Sequence, residues 1–571
     1  MKALTSLYYA HRQPLLFLLG TWGTFFVILF LRTLKFTDKG VSVIQNSVYS
    51  DWALHIGMAS IFAYKAPQYW FSYHPVYADG QFTYGFLTNL ISGLLMRVGF
   101  SPYAAFILPS IAYSLCLLVG LYALFFLVLR SSKQVLVAIA LFFLSSGPGF
   151  LKFLRDLGHG YRLGDLLNPA TEVYYSRLAN EYTWRAGNVI IGILLPQRAF
   201  LLGMTMAVWA MVGLLLVVLD RTEGGGDRAL LTRRQQNLVL GTASVLVGLL
   251  PITHMHSFIV MFIVTGAICI AAYRQWFQLF FYYVTPTAVI ACILGLIFIS
   301  GGIEKSNFIR WFPGWTAEPG LLPWLVLWAK IWGLMLPLAL FGQILLRKRA
   351  LVIQAFFGGF LLVFLVANLV LFQPVTWDNS KLFFWAYLGF AGLAATALAW
   401  LWRHGKHYFS RFDTILLAIS LTFTGAIELV RLQSMRDRDR PYLSTRSEIT
   451  LGQTIRTETE PLARFLTAPD HNHPISVWGV RPIILGQTTW ARNYGFLIDQ
   501  VEQDVQTMFA GGNAAEPLLA QYQVSYVVVS PRELNRFDVN EDYYDQRYAL
   551  AFEEANYRIY DVRSLWLDAH R

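Results

Sequence analysis

Apolar runs of membrane-crossing length recur along the whole chain, and they leave few folds open. They cover residues 15–31, 107–129, 135–151, 199–219, 238–252, 258–272, 277–299, 324–346, 351–371, 382–401 and 415–430. The hydrocarbon core of a bilayer takes about 20 residues of helix, so the chain reads as mainly α, a polytopic membrane protein of about eleven spans. Composition agrees, with 56% of residues hydrophobic and 14% charged, where soluble domains carry about 25% charged. That balance excludes an ordinary soluble enzyme, a disordered chain and a fibrous repeat. Cys116, Cys269 and Cys292 all lie in apolar runs, as small core residues do, and form neither a disulfide framework nor a metal cluster. The segment MKALTSLYYAHRQP leads into the first run with no small-residue cleavage site, which predicts a retained span and not a signal peptide.

The formal charge of +11 is distributed as a topology signal. Lys2, Arg12, Arg130, Lys133, Arg233, Arg234, Arg274, Arg347, Lys348, Arg349, Arg403 and Arg411 fall in alternate short connections. The positive-inside rule puts these, and the N-terminus, in the cytoplasm of an inner or plasma membrane. With the charge so explained, no nucleic-acid partner is expected. The long connections 34–101, 152–197, 300–320 and 372–381 and the tail then face outward, where loops on a rigid scaffold carry function. The expected division is 1–432, a transmembrane domain that includes the outer loop 34–101, and 433–571, a small extracytoplasmic α/β domain. In the tail, 435–448 reads as a charged linker, 455–466 as a helix, ISVWG as a strand, VEQDVQTMFA as helix, and QVSYVVVS and YRIYDV as strands. Its acids, Asp499, Asp504 and Glu533, are dispersed, which predicts a supporting role.

The first outer loop is the most informative. DWALHIGMASIFAY sets Trp52, His55, Ile56, Ala59 and Phe62 at helical spacing, which predicts a helix lying on the membrane surface. Asp51, after Ser50, stands where that helix would begin. It is either a cap for free N–H groups or a carboxylate available for acid–base work. PVYADGQFTYGFLTNLISGLLMRVGF then gives a turn and a second surface helix before the next span.

That order resembles the GT-C superfamily of polytopic glycosyltransferases, which use polyprenyl-phosphate-linked sugars. The resemblance covers the layout: cytoplasmic N-terminus, acidic first outer loop with two juxtamembrane helices, eleven or more spans, outward C-terminal domain. Asp51 in SDWALH matches the family's first-loop catalytic acid; the family's paired acid is absent, since Trp52 follows. The resemblance implies an inverting transferase moving a sugar from a polyprenyl-phosphate donor to a glycan, lipid or protein acceptor on the outer face, among membrane lipids. It implies a second acid beyond the third span, for which Asp156 and Glu172 are the candidates. It also allows a divalent cation near Asp51, because some relatives depend on a metal. The chemistry needs a base for the acceptor hydroxyl and cations where the leaving phosphate gains charge. His55 lies one turn beyond Asp51; Arg185, Arg198, Lys381 and the His254 and His256 pair of LLPITHMHSF are the phosphate candidates. Each has a plainer reading: solvated loop carboxylates, an Arg198 that snorkels to headgroups, a Lys381 paired with Asp378, and an H-x-H with no third metal ligand. Two other functions fit such a chain. A transporter would show repeated halves and charges at mid-depth, which this sequence lacks; a catalytically silent scaffold on the same fold would not differ in layout.

Overall fold

The computed structural model describes residues 11–167, 174–178, 184, 187–224, 231–300, 308–405 and 410–567. The chain divides into two compact units. A membrane unit comprises Met1–Leu31, Leu108–Leu296 and Ile309–Asp439; a loop–tail unit comprises Arg32–Ile107, Ile297–Phe308 and Arg440–Arg571. Reading the sequence at 432/433 groups residues 34–101 with the spans, whereas here they fold with the tail.

Among the described residues, eight helices are long and apolar enough to cross a membrane. Leu321–Trp332 and Met335–Lys348 form a ninth apolar stretch bent by 93°, and Ser132–Phe143 and Met255–Ala271 are shorter apolar helices. Each apolar run of the sequence therefore becomes one of these elements, two with altered geometry. The run 324–346 breaks at Gly333, whose φ of +60° suits glycine because no Cβ resists it. The run 135–151 stops at Phe143 because Ser-Ser-Gly-Pro-Gly follows, and a separate helix, Phe150–Gly158, starts after it.

Ser380–His404 is the centre of the membrane unit. It packs on Met335–Leu345, Leu351–Leu369 and Ser132–Phe143. Lipid is as apolar as a leucine side chain, so helices here are held by close fit, which small residues permit. A Cβ on Gly342 would lie 2.1 Å from the Leu393 carbonyl oxygen, and one on Gly389 2.4 Å from Phe360 Cβ. Trp332, Phe364 and Phe383 all place their rings within 4.7 Å of Trp328.

In the loop–tail unit, the hairpin Leu34–Thr37 and Gly40–Val43 gains a third antiparallel strand, Tyr442–Thr445. Gly40 is obligatory there: its φ is +134°, and a Cβ would lie 2.2 Å from the Ser444 carbonyl oxygen. The tail sheet runs Arg464–Leu466, Val524–Val529, Tyr557–Asp561, Ala549–Glu554, the first pair parallel and the others antiparallel. Its core gathers Leu451, Ile455, Phe465, Ile475, Val528 and Ile559. Two tail elements differ from expectation. The helix is Arg446–Glu458, started by a Thr445/Glu448 capping box, and residues 464–466 are strand. ISVWG is no strand: Pro474 opens a short helix, Pro474–Val477, capped by the His473 side chain.

The first-loop helices are Asn46–Tyr64 and Leu87–Arg97. The first does not lie on a surface, because residues 52–63 are all buried. It starts at Asn46, so Asp51 stands inside it, and the cap reading of Asp51 fails.

Candidate functional site

The membrane unit assembles four of the predicted phosphate residues at three helix starts. Leu195-Pro196-Gln197 interrupts the chain after the turn Ile190–Leu194, so Arg198 opens the next long helix. His254 adopts extended backbone after Leu250–Thr253 and caps Met255–Ala271, its Nδ1 accepting the Ser257 N–H at 3.2 Å. The turn Thr376–Asn379 delivers Lys381 to the first turn of Ser380–His404.

These starts meet. Phe200 stacks edge-on to His254 at 4.9 Å, and the His254 and His256 rings are 5.5 Å apart. Ser257 Oγ accepts from Trp385 Nε1 at 3.2 Å, joining the second start to the third. Lys381 pairs with Asp378 at 2.9 Å, as its plainer reading expected, yet it remains within electrostatic reach of both histidines. Arg198 is fully buried and donates from Nε to Ser110 Oγ at 3.1 Å, which removes the headgroup reading.

Because Nδ1 of His254 accepts, a neutral ring carries its proton on Nε2. Buried His254 Nε2, His256 Nε2 and Ser380 Oγ have no hydrogen-bond partner among the described residues, each costing about 1–3 kcal/mol while unmet. Helix N-termini present positive partial charge and free N–H groups. Three of them with two cations and three buried unmatched polar atoms suit a phosphate oxyanion.

The loop–tail unit holds Asp51 and His55, one helical turn apart on one face of Asn46–Tyr64. Asp51 is half-buried and His55 buried. Asn89 Nδ2 donates to His55 Nδ1 at 3.1 Å and also meets Met58 Sδ at 3.2 Å. That contact needs the two first-loop helices almost touching, which Gly93 allows: a Cβ there would lie 2.5 Å from the Ala59 carbonyl oxygen.

A second polar cluster, scattered along the sequence, gathers in the same unit. Arg532 bonds Glu448 at 2.5 Å and Asp470 and Asn472 each at 3.0 Å, while Tyr557 donates to Glu448 at 2.9 Å. Burial pushes the Glu448 carboxyl up, but Arg532 and the hydrogen bonds outweigh it and hold the group below the usual carboxylate range. Glu533, one of the dispersed tail acids, is fully buried and paired with His473 at 3.0 Å. A narrow crevice of about 10 Å³, room for a single water, runs past Ala53, Leu54 and Gly57 to Asp470 and His471. Only Glu448, three residues after Thr445, carried a legible signal, that of a capping box.

Other candidates fall elsewhere. Asp156 lies in Phe150–Gly158 of the membrane unit, 4.0 Å from Arg155. Glu172 and Arg185 lie outside the described residues. Among the described residues no three His, Cys, Asp or Glu side chains gather as a metal would require.

No protein-family model matches the chain, and no curated protein matches it by sequence. Solved structures match its fold. The archaeal oligosaccharyltransferase AglB from Archaeoglobus fulgidus, in complex with an inhibitory peptide and a dolichol-phosphate, aligns with a TM-score of 0.51 at 13% identity, covering 92% of this chain and 70% of AglB. ArnT from Cupriavidus metallidurans, bound to undecaprenyl phosphate, aligns with a TM-score of 0.47 at 12% identity over 99% of each chain. At 13% identity the likeness to AglB is one of fold: a polytopic bundle of apolar helices with a small sheet-containing tail.

Proposed function

We propose that this chain is a membrane glycosyltransferase that moves a sugar from a polyprenyl-phosphate carrier to an acceptor on the extracytoplasmic face. The observation that carries this reading is the meeting of three helix starts at Arg198, His254, His256 and Lys381, with unmatched buried polar atoms among them. The fold supports it, since the AglB structure of like fold holds a dolichol-phosphate.

In this reading Asp51 takes the proton of the acceptor hydroxyl, and that oxygen attacks the anomeric carbon. The bond from this carbon to the carrier phosphate breaks, and the displacement inverts the carbon. The released phosphate carries the new negative charge and needs cations and donors; within the membrane unit, taken by itself, Arg198, Lys381, His254 and His256 are the proposed contacts for a carrier phosphate. His55 orients the Asp51 carboxylate and is itself held by Asn89. Asp156, and Glu172 and Arg185 outside the described residues, are proposed as further acid and phosphate contacts. The acceptor is a glycan, lipid or protein hydroxyl.

Binding of undecaprenyl phosphate and of dolichyl phosphate to the full chain in detergent tests the phosphate site. His256→Phe removes an unmet buried donor while keeping a ring, so the expected outcome is a melting temperature at or above that of the wild type with affinity reduced about 10-fold, the worth of one hydrogen bond to a charged group. Unchanged affinity for both lipids removes the phosphate assignment. A wild-type chain that binds them but transfers from no sugar-loaded carrier is the scaffold instead.

A further inference from the structure

The membrane unit has a second charged site, at the ends of its helices opposite in sequence order to the starts described above. A cavity of about 950 Å³ opens among the ends of Pro102–Leu129 and Ser380–His404, the short helix Ser132–Phe143, the 345–349 connection and the start of Arg411–Ser434. That volume falls within the range of pockets that hold small ligands. Arg130, Lys133, Arg349 and Arg403, from three separate connections, line it, and no carboxylate is among the described residues of its lining. The nearest acid in sequence, Asp413, accepts from the Ser410 N–H at 2.7 Å and from Ser410 Oγ at 2.8 Å, so it is spent on capping its own helix. Arg349 Nη2 donates to the Val128 carbonyl at 3.3 Å and Arg403 Nε to the Ala399 carbonyl at 3.1 Å; these neutral acceptors leave positive charge at the opening, which favours an anion.

The remaining walls say which anion. Val137, Leu398 and Ile415 line the same cavity, and Val137 and Ile415 are 39% and 45% exposed. Hydrocarbon beside a cationic rim matches a lipid with an anionic headgroup and fits a free phosphate ion poorly. Trp402, also in the lining and 43% exposed, is a residue type enriched at membrane–water boundaries. Arg130 adds an independent sign. It follows the last residue of Pro102–Leu129 with φ +59°, the left-handed position where glycine ends helices without strain. A bulky cation there puts its side chain into the cavity lining.

We propose that this cavity is a binding site for one anionic phospholipid, its phosphate held by Arg130, Lys133, Arg349 and Arg403 and its acyl chains along Val137, Leu398 and Ile415. The site is separate from the donor phosphate residues and does not depend on the transferase reading. Native mass spectrometry of the full chain in detergent tests it, with dioleoyl phosphatidylglycerol, dioleoyl phosphatidylcholine and inorganic phosphate as probes. The expected result is one phosphatidylglycerol retained in preference to phosphatidylcholine and not displaced by excess phosphate. Arg130→Asn with Lys133→Gln should lower that preference about 10-fold or more, at about 1 kcal/mol per cation near the headgroup. Arg234→Gln with Arg274→Gln, which removes equal charge from exposed positions outside the lining, should leave it intact. Equal retention of phosphatidylcholine, displacement by inorganic phosphate, or an equal loss in the control pair would each overturn the proposal.

Discussion

At the scale of single residues, Asp51 and Lys65 make the sharpest demands. Ser50 and Asp51 look like a helix start in sequence because both are common caps; the structure starts the helix at Asn46, behind Gln45, whose side chain makes no cap bond. With capping gone, Asp51→Asn tests the base role. The amide keeps size and polarity but accepts no proton, so transfer should fall by about 10²–10⁴ with the melting temperature unchanged; a variant transferring at the wild-type rate ends the base assignment. Lys65 is a different case. It is buried, donates to the Pro461 carbonyl at 2.5 Å and sits 4.3 Å over the Tyr73 ring. Burial first, then the Arg481 charge, lowers it from 10.5 to about 7. Between those values the unfolded chain binds a proton that folded Lys65 refuses, so its penalty is absent above pH 10.5, grows as pH falls, and is complete below 7. Relative to Lys65→Met, wild-type stability should therefore rise by about 2 kcal/mol from pH 7 to 9. Thermal unfolding of both proteins across that range reads it; parallel curves contradict a shifted lysine.

At the scale of elements, periodicity located the helices and failed to say what covers them. Asn46–Tyr64 has the apolar spacing of a surface helix, yet its other face is covered too. Ser476 and Val477, more than 400 residues on, lie against Gly57, and Leu87–Arg97 lies against Gly93's neighbours Ala59 and Phe62. Contacts of that sequence separation leave no local signature, so a buried helix reads as an amphipathic one. The same blindness made a strand of ISVWG, where Pro474 and the His473 cap outweigh β-branched composition. Glycine spacing was equally silent until the partner was known. A Cβ on Gly93 meets the Ala59 carbonyl at 2.5 Å and Phe62 Cβ at 2.6 Å, and backbone on one side cannot step aside cheaply. Gly93→Val should cost about 1–3 kcal/mol by overpacking and spread the helices enough to loosen Asn89 from His55. Activity should then fall with stability. A fully stable Gly93→Val protein would show that these helices are not tightly apposed.

At the scale of the whole molecule, the apolar runs and the basic connections were legible because bilayer thickness and charge asymmetry act locally, residue by residue. The site was legible in part: residue types for a phosphate stood out, whereas the meeting of Arg198, His254, His256 and Lys381 depends on three chain breaks whose spatial order no spacing encodes. The structure supplies a consistency that bears on topology. Arg130, Lys133, Arg349 and Arg403 line one cavity, so the connections after the second, eighth and tenth apolar runs share one end of the membrane unit. The starts at 198, 254 and 380 meet one another, and each follows an odd-numbered run. Alternation of spans requires both groupings. If the cavity end is the cytoplasmic one, as its basic residues ask, the tail is extracytoplasmic. A chain with Cys116, Cys269 and Cys292 replaced by alanine, carrying Lys348→Cys or Gln500→Cys, both exposed positions, decides the matter. An impermeant maleimide added to intact cells should label position 500 and spare 348 until the membrane is opened. Labelling of 348 and protection of 500 would invert the molecule, and with it the compartment in which acceptor and carrier have to meet.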